Sequence, residues 1–409
     1  MLTNEEKKVE IYSRTRTPTI SSSVCPDTPL ETLNLNWTER DLPEKERTKH
    51  VHRLHPYLGK FIPQLVEIFL RKYFRPGQTV LDPFCGSGTT LVQANELGIN
   101  SIGYDISEFN VLLSRVKTAK YNIGIVQKEV LDILERVKRL TQKSGGQLEL
   151  MGNEPRSIKI DGTNNEYLKK WFAPKARNEL LTYRYFIQTG EYQYKDLLKI
   201  ILSRSARSAR LTTHYDLDFP KSPQTEPYQC FKHSRICQPT TEAFKFLRTY
   251  SLDTIRRLEE FSYLRTEAKV EVHHADSRKV DFPPIDGVIT SPPYVGLIDY
   301  HEQHAYGYHL LDLKDNRDCE IGPAVNGSSL KAKEQYQNDI AEVFSRAIRS
   351  MLEGAPLIVV AADKANLYGK IAELIGVEVE AIVQRHVNRR TGRRSTEFYE
   401  SIFIWRKRR

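Results

Sequence analysis

The feature that most constrains this chain is the stretch from residue 285 to 294, with the sequence Ile-Asp-Gly-Val-Ile-Thr-Ser-Pro-Pro-Tyr. A short apolar segment, typical of a buried β-strand, runs directly into two consecutive prolines. Proline fixes φ and has no backbone N–H, so the chain after Ser291 cannot continue as a central strand. The chain must therefore leave the sheet as a stiff, extended tip.

This tip, residues 291–294, has two interpretations. Its hydroxyl, carbonyls and aromatic ring suit the binding of a flat, polar ring that carries an exocyclic amine. The same residues are also consistent with a proline-rich turn after a buried strand, because short motifs often match by chance. The choice between these interpretations depends on the rest of the chain.

The composition indicates a globular protein with a basic surface. The chain has 409 residues, of which 39% are hydrophobic and 28% charged, enough for one large domain or two ordinary ones. It has no apolar run of about 18 residues, and its N-terminus is polar, so we expect a cytoplasmic protein without membrane contact. The net charge of +9 indicates a polyanionic partner, most simply nucleic acid.

Five cysteines are scattered along the chain, at positions 25, 85, 230, 237 and 319. This spacing predicts reduced thiols rather than a disulfide framework. Cys230 and Cys237 have His233 between them, but the short Cys-x-x-Cys step is missing and no second pair follows. The sequence therefore predicts no metal site.

Alternating strand and helix patterns predict the fold class. Seven strands are expected, at residues 79–81, 101–104, 270–272, 285–290, 357–361, 377–384 and 399–405. Their alternation with helices predicts an α/β fold with a doubly wound, mostly parallel, seven-stranded sheet. The last two strands are joined by a short basic loop and should form an antiparallel hairpin.

The patterns also divide the chain into regions. Residues 1–50 are polar with little periodicity and are expected to be an N-terminal arm or a poorly ordered lead-in. Residues 51–120 and 266–409 contain the sheet. Residues 121–265 form a largely helical insertion, with helices expected at 125–140, 175–188, 195–211 and 241–264 and a proline-rich loop at 214–240.

A glycine-rich turn, Asp82-Pro83-Phe84-Cys85-Gly86-Ser87-Gly88-Thr89, follows the first strand. Its glycines allow a tight turn and close approach of a ligand to the backbone. The turn lacks the glycine patterns of NAD and nucleoside triphosphate sites, and Asp82 would repel a pyrophosphate but attract an ammonium group. A nucleoside attached to an amino acid therefore fits better than a nucleotide, with a purely structural turn as the alternative.

Acidic residues end the next two strands of the predicted sheet. Asp105 lies 17 residues after Gly88, where it could accept hydrogen bonds from both hydroxyls of a ribose. Asp276 ends the third strand and could bind the amine of an adenine, although an aspartate at a strand end is also common at protein surfaces.

Together, the turn at residues 82–89 and Thr290-Ser291-Pro292-Pro293-Tyr294 resemble the amino-group DNA methyltransferases that use S-adenosylmethionine. The tip is most similar to the cytosine-N4 branch, because the adenine-N6 branch more often has Asp or Asn at the position of Ser291. The segment from His55 to Pro63 resembles the family's N-terminal cofactor motif. The motif order resembles the α arrangement, although the insertion precedes the third strand, where we would expect it to follow.

The resemblance implies a class I, Rossmann-like methyltransferase that modifies the N4 amine of a flipped cytosine in duplex DNA. It also implies a restriction-modification system, with a cognate endonuclease acting on the same site. The expected cofactor residues are Tyr57, Lys60 and Phe61 for the methionine side, Asp82, Pro83, Phe84, Cys85, Gly86, Ser87, Gly88 and Thr89 for the amino-acid portion, Asp105 and Ile106 for the ribose, and Asp276 and Ser277 for the adenine. The catalytic tip would be Ser291, Pro292, Pro293 and Tyr294, with acceptors for the amine at Ser291 and the Pro292 carbonyl, and with Tyr294 stacked on the base.

The insertion at residues 121–265 is the expected target-recognition region, and two basic groups of the chain are candidates for DNA contact. Arg204, Arg207 and Arg210 recur at i+3 spacing and could meet phosphates, or could form a solvated helix face. The loop of the last hairpin carries Arg389, Arg390, Arg393 and Arg394, which favours DNA contact over a merely flexible basic loop. Three alternative functions remain open: adenine-N6 methylation, methylation of an RNA amine, and DNA binding without catalysis.

Overall fold

The computed structural model describes residues 10–11, 15–57, 59, 61–142, 164–294, 299–322, 327, 329–387 and 398–408. The strands are β1 (Glu10–Ile11), β2 (Thr79–Asp82), β3 (Asn100–Asp105), β4 (Tyr228–Cys230), β5 (Arg235–Cys237), β6 (Val270–His274), β7 (Gly287–Thr290), β8 (Pro356–Ala361), β9 (Glu378–Val387) and β10 (Phe398–Arg406). The helices are α1 (Glu44–Arg47), α2 (Pro63–Tyr73), α3 (Thr89–Glu96), α4 (Glu108–Thr118), α5 (Ile123–Gln142), α6 (Glu166–Trp171), α7 (Pro174–Thr189), α8 (Lys195–Ala209), α9 (Phe244–Ser262), α10 (Tyr300–Gln303), α11 (Ala305–Leu311), α12 (Leu330–Arg349) and α13 (Tyr368–Ile375).

Eight of the described strands form one sheet in the order β1-β9-β10-β8-β7-β2-β3-β6. Strand β10 runs antiparallel to β8 and β9, and the other pairings in this sheet are parallel. The α/β prediction, the seven strands and the terminal hairpin are confirmed, and β1 is an additional edge strand. The strand order reverses between β2 and β7, which is where doubly wound sheets bind their ligands.

Alternate residues of the central strands face opposite layers of helices. Val80, Ile289 and Ile358 are buried in a cluster with α2 and α3. Their neighbours Leu81, Val288 and Leu357 are buried in a second cluster with α12 and α13. Because successive residues of a strand point to opposite faces, a continuous apolar run satisfies both layers.

The N-terminal segment differs from its prediction. Between residues 15 and 50, Leu33, Leu35 and Trp37 are buried in the same cluster as α2, and the Trp37 indole donates a 3.0 Å hydrogen bond to the Thr19 carbonyl. The expectation of a poorly ordered lead-in is therefore wrong for this segment. Leu33, Leu35 and Trp37 alternate with asparagines over only five residues and lie in irregular backbone, so this short pattern did not identify an ordered segment.

The four helices predicted in the insertion are confirmed as α5, α7, α8 and α9. Their apolar faces form a third buried cluster, which also contains Phe109 of α4 and Tyr306 of α11. The insertion thus shares a hydrophobic core with helices that flank the sheet. Helix α6 and the β4–β5 hairpin were not predicted, and the hairpin lies within the segment expected to be a proline-rich loop.

Candidate functional site

A cavity that is open to solvent lies at the carboxyl ends of β2, β3, β6 and β7, the edge at which α/β sheets bind small ligands. It is lined by Tyr57, Gly59, Phe61, Pro83, Phe84, Cys85, Gly86, Ser87, Thr89, Asp105, Ile106, Ser107, Asn110, Ala275, Asp276, Ser277, Ser291, Pro293, Cys319, Glu320 and Ile321. The structure therefore brings most of the predicted cofactor residues and two residues of the proline tip to one place.

The glycine-rich turn forms one wall of this cavity. Gly86 and Gly88 have φ values of +49° and +76°, a region that other residues rarely adopt. A Cβ atom on Gly88 would lie 2.8 Å from Ser114 Oγ, and one on Gly86 would lie 3.3 Å from Tyr57 Oη. Both glycines are therefore required by backbone conformation and by packing, and Gly88 itself lies behind the wall.

Asp105 projects from the end of β3 into the cavity. Its Oδ2 atom accepts a 2.9 Å hydrogen bond from the Gly86 amide, and Oδ1 accepts from the Ser107 amide (2.8 Å) and from Asn110 Nδ2 (3.1 Å). Burial raises the pKa of Asp105 to about 6, although these hydrogen bonds act in the opposite direction. The carboxylate is thus held in one orientation by the turn that it faces.

Asp82 connects the two predicted motifs. It is fully buried at the end of β2, and its Oδ1 atom accepts hydrogen bonds from Thr290 Oγ1 (2.7 Å) and from the Phe84 amide (3.2 Å). Burial raises its pKa to about 6. Asp82 lies behind the cavity lining. Its position is better suited to aligning β7 with β2 than to contacting a ligand.

Asp276 lines the cavity at the end of β6 with its carboxylate already engaged by a neighbour. Arg278 Nε lies 2.9 Å from Oδ1, and Nη2 lies 2.8 Å from Oδ2. Although burial acts to raise it, the hydrogen bonds from Arg278 hold the pKa of Asp276 below its usual range. Contact between Asp276 and an adenine amine stays a prediction. Ser277 donates a 2.7 Å hydrogen bond to the Pro83 carbonyl, which joins this strand end to the turn.

The proline tip is supported from two sides. The Pro293 carbonyl accepts a 2.9 Å hydrogen bond from the hydroxyl of Tyr336 on α12. The half-buried Tyr294 donates a 3.4 Å hydrogen bond to Glu400, and Glu400 accepts a 3.0 Å hydrogen bond from the buried Arg385. Ser291 lines the cavity and Pro292 is buried. The tip is therefore held against α12 and the β9–β10 hairpin.

The predicted phosphate-binding row on α8 is wrong. Arg204 pairs with Asp253 at 2.8 Å, Arg207 pairs with Asp218, and Arg210 donates to the Leu217 carbonyl and lies over the Tyr306 ring. The side chains of Arg204 and Arg210 are buried. The i+3 row packs against α9 and α11 instead of facing solvent, and a periodic pattern does not reveal which helix face is covered.

Some predicted residues lie outside the described part of the chain. They are Lys60 and the hairpin-loop residues Arg389, Arg390, Arg393 and Arg394. Their assignments to the cofactor and to DNA stay predictions.

Several lining residues were missed by the sequence analysis. Ser107 caps α4, its hydroxyl accepting from the amide of Asn110, and Asn110 also donates a 3.1 Å hydrogen bond to Tyr57 Oη. The serine cap was recognisable in the sequence, and its position beside Asp105 was the available signal. Cys319, Glu320 and Ile321 come from a segment after α11 that carries no motif, so only the structure places them at the cavity.

A second group of side chains that could bind a ligand, which also was not predicted, lies at the β4–β5 hairpin. His214 joins Cys230, His233 and Cys237, with one donor atom from each residue within 4.8 Å of the others. His214 was missed because it precedes Cys230 by 16 residues, far from the spacing of short metal motifs.

The cavity fits an adenosyl-amino-acid cofactor. Ser87 Oγ and Thr89 Oγ1 are buried in its wall without a hydrogen-bond partner, which is unfavourable unless a ligand supplies one. With the glycine turn on β2 and the acidic residue at the end of β3, the site and the sheet order define a class I methyltransferase that uses S-adenosylmethionine.

The comparisons with known proteins specify the family. A family model described as DNA methylase, for N6 and N4 methylation, matches residues 4–115. The Type II methyltransferase M.MjaII of Methanocaldococcus jannaschii is 40% identical over 430 residues, which cover 88% of this chain and 81% of that protein. The chain therefore belongs to the amino-group DNA methyltransferases of Type II systems.

More distant similarities extend to other methyltransferases. The Type II methyltransferase M.BsoBI of Geobacillus stearothermophilus is 23% identical, covering 73% of this chain and 61% of that protein. A tRNA (guanine(10)-N2)-dimethyltransferase of M. jannaschii is 31% identical over 27% of this chain and 29% of its own length. Among solved structures, the rRNA methyltransferase AviRa of Streptomyces viridochromogenes is matched with 12% identity and a TM-score of 0.33, over 87% of this chain and 89% of that one. No helix in the described part of the chain is long and apolar enough to cross a membrane.

Proposed function

We propose that this protein methylates the exocyclic N4 amine of a cytosine within a short duplex DNA site, as the modification enzyme of a restriction-modification system. One observation carries the proposal. The 2.7 Å hydrogen bond from Thr290 to Asp82 joins the ends of β7 and β2, so Ser291 and the glycine-rich turn line the same cavity. A donor bound at the turn and an amine bound at the tip would therefore be neighbours.

The cofactor-binding groups follow from this arrangement. When bound, S-adenosylmethionine supplies a methyl group activated by a positively charged sulfur. Asp105 would accept hydrogen bonds from the ribose hydroxyls, and Ser87 and Thr89 would use their unpartnered hydroxyls on the cofactor. Tyr57 and Phe61 would cover the methionine side, since both line the cavity on a segment that precedes β2.

The proline tip provides acceptors for the target amine. An exocyclic amine is a weak nucleophile because its lone pair is delocalised into the ring. Two acceptors, Ser291 Oγ and the Pro292 carbonyl, would draw its protons out of the ring plane and direct the lone pair toward the methyl group. This is catalysis by orientation and fixed dipoles, and it requires rigid support such as the hydrogen bond from Tyr336 to Pro293.

A covalent intermediate on cysteine is not part of the proposed reaction. Cys85 lies in the cofactor turn, and burial together with the nearby Asp105 and Asp82 carboxylates raises the pKa of its thiol well above the usual value. A thiol in this environment stays protonated and is a poor nucleophile. Direct methyl transfer to nitrogen needs no such group.

The substrate would be a flipped base, because the N4 amine of a paired cytosine is not accessible within the stack. The half-buried Tyr294 offers an aromatic face, and its hydroxyl is fixed by Glu400. The choice of cytosine over adenine rests on Ser291, so adenine-N6 methylation is the second candidate. The similarity to a tRNA guanine methyltransferase is the observation that favours an RNA amine as a third.

The decisive experiment is methyl transfer from labelled S-adenosylmethionine to duplex DNA, followed by nucleoside mass spectrometry. We expect N4-methylcytosine. Recovery of N6-methyladenine alone would refute the assignment of the base, and transfer to tRNA without transfer to DNA would refute the substrate class. Asp105→Ala, which should lose cofactor binding, serves as the inactive control, and mapping of methylated sites in genomic DNA would identify the recognition sequence.

A further inference from the structure

The β4–β5 hairpin brings two thiols and two imidazoles into contact. Cys230 Sγ lies 3.6 Å from Nδ1 of His214 and 3.6 Å from Nδ1 of His233. His233 Nδ1 lies 3.4 Å from Cys237 Sγ. One donor atom from each of the four residues is within 4.8 Å of the others, so the group could surround a single small ion.

The separations match the requirements of zinc. With Zn–S near 2.3 Å and Zn–N near 2.0–2.1 Å, tetrahedral coordination separates sulfur and nitrogen ligands by about 3.6 Å. The three measured distances between sulfur and nitrogen are 3.4–3.6 Å. A soft donor set of two cysteines and two histidines also favours zinc over magnesium or calcium, which prefer oxygen ligands.

The segment that contains the β4–β5 hairpin buries very few side chains. Between residues 213 and 242, all of which are described, Cys230 and Cys237 are the only buried residues. Neither belongs to any of the three clusters of buried apolar side chains. The large apolar residues of the hairpin point outward, with Phe231 81% and Ile236 66% exposed. Because hydrophobic packing does not hold this segment together, its fold requires another constraint, such as a disulfide or a metal.

The backbone of the hairpin directs the donor atoms inward. Tyr228 is paired with Cys237, and Cys230 with Arg235, so both thiols lie on one face of the hairpin. Ser234 has a φ of +51°, which reverses the chain immediately after His233. The Tyr228 hydroxyl lies 2.8 Å from His214 Nδ1 and holds this ring at the same face, a contact that metal coordination would replace.

We propose that His214, Cys230, His233 and Cys237 form a structural Zn²⁺ site that fixes the hairpin to the helical insertion. Four protein ligands complete the tetrahedron and leave no position for substrate, which is the arrangement of structural sites. On binding, the two thiols release their protons to solvent and no redox change occurs. This site contradicts the expectation of no metal, and it is independent of which base the enzyme methylates.

The test is the zinc content of the full-length protein, produced without a metal-binding tag and measured by inductively coupled plasma mass spectrometry. We expect about one zinc ion per chain. The Cys230→Ser/Cys237→Ser variant should contain only background zinc, whereas Cys25→Ser, which removes an exposed thiol elsewhere, should retain the full amount. The variant His214→Ala should lower the affinity for zinc by at least about tenfold in competition with a chelating dye.

A measurement on the unaltered chain keeps the proposal testable if the variants fail to fold. Cobalt(II) exchanged into the wild-type protein should give the intense visible absorption of tetrahedral coordination and a thiolate-to-cobalt charge-transfer band. Wild-type protein that contains no zinc and takes up neither metal in reducing buffer would overturn the proposal. Detection of a disulfide between Cys230 and Cys237, after thiols are blocked during lysis, would overturn it as well.

Discussion

The raised pKa of Asp105 makes cofactor binding depend on pH. Its carboxylate must be ionised to accept hydrogen bonds from both ribose hydroxyls, yet burial raises its pKa to about 6 in the absence of ligand. With a pKa of about 6, roughly ten in eleven of these groups are ionised at pH 7 and one in eleven at pH 5. The dissociation constant for S-adenosylmethionine should therefore rise about tenfold from pH 7 to pH 5.

The buried Asp82 would double the slope of the cofactor's dissociation constant against pH if its ionisation were also required for binding. Its pKa is also raised to about 6, but Asp82 lies behind the cavity lining. We therefore expect one proton to be linked to binding, and a change of about a hundredfold over the same range would mean that Asp82 must ionise too. The α-amino group of the cofactor, with a pKa of about 7.7–8.0, remains protonated throughout this range and adds no slope.

Protonation of Asp105 and Asp82 does not unfold the chain, so unfolding through these groups cannot explain weaker cofactor binding at pH 5. For both carboxyl groups the folded pKa is raised above the unfolded value of 3.8, so their contribution to stability is fully present below pH 3.8 and is lost as the pH rises through about 6. Protonation of these two groups at pH 5 therefore stabilises the fold. Far-UV circular dichroism at each pH would verify that the chain remains folded.

Isothermal titration calorimetry at half-unit intervals from pH 5 to 7 measures the dependence. Asp105→Asn should bind weakly at pH 7 and should lose the slope. Asp276→Asn is the matched control and should keep the dependence of the dissociation constant on pH. Hydrogen bonds from Arg278 hold the pKa of Asp276 below its usual range, so its carboxylate is ionised from pH 5 upward in the wild-type protein. A dissociation constant that is constant between pH 5 and 7 in the wild-type protein would refute the reasoning.

Three further predictions test the tip and the insertion. Tyr294→Ala should lower the rate of methylation by roughly 5- to 150-fold, the worth of one base-stacking contact of about 1–3 kcal/mol, while cofactor affinity measured by calorimetry stays unchanged and Tyr294→Phe retains most activity. Glu400→Gln should lower the melting temperature and the methylation rate, because it removes the negative charge that lies 3.0 Å from the buried Arg385, whereas the exposed Glu373→Gln should change neither. Arg204→Met should destabilise the fold by about 1.5–3 kcal/mol in urea unfolding, because it removes one charged hydrogen bond to Asp253, which keeps Arg256 and Arg257 as partners. It should not cause the decrease of about one unit in the salt dependence of DNA binding that a lost phosphate contact would cause.

The sheet could be predicted because its central strands are buried on both faces. Runs such as 357–361 are continuously apolar, and such runs bounded by turn residues are a clear signal for parallel strands. The glycine turn was equally predictable, since Gly86 and Gly88 adopt positive φ. In both cases the information is local, which is why one sequence was sufficient.

Contacts between distant segments could not be predicted in the same way. The arginine row on α8 has the spacing of a solvent-facing stripe, yet Asp253 comes from α9 and Asp218 from the loop after α8. The sequence analysis missed His214 and Glu320 for the same reason. Only the folded chain brings each of them next to the other residues of its site. Residue type and spacing identify a candidate, but its partner depends on tertiary packing.

The insertion enters the sheet away from the two strands that carry the proline tip and the glycine-rich turn. The insertion lies between α4 and β6, and β6 is the strand at the outer edge of the sheet. The catalytic geometry depends instead on β2 and β7, which are adjacent and are joined by the hydrogen bond from Thr290 to Asp82. An insertion before the third strand therefore joins the sheet at its edge and does not separate β2 from β7. The proline tip is therefore aligned with the glycine turn by two neighbouring strands and not by the connection to β6.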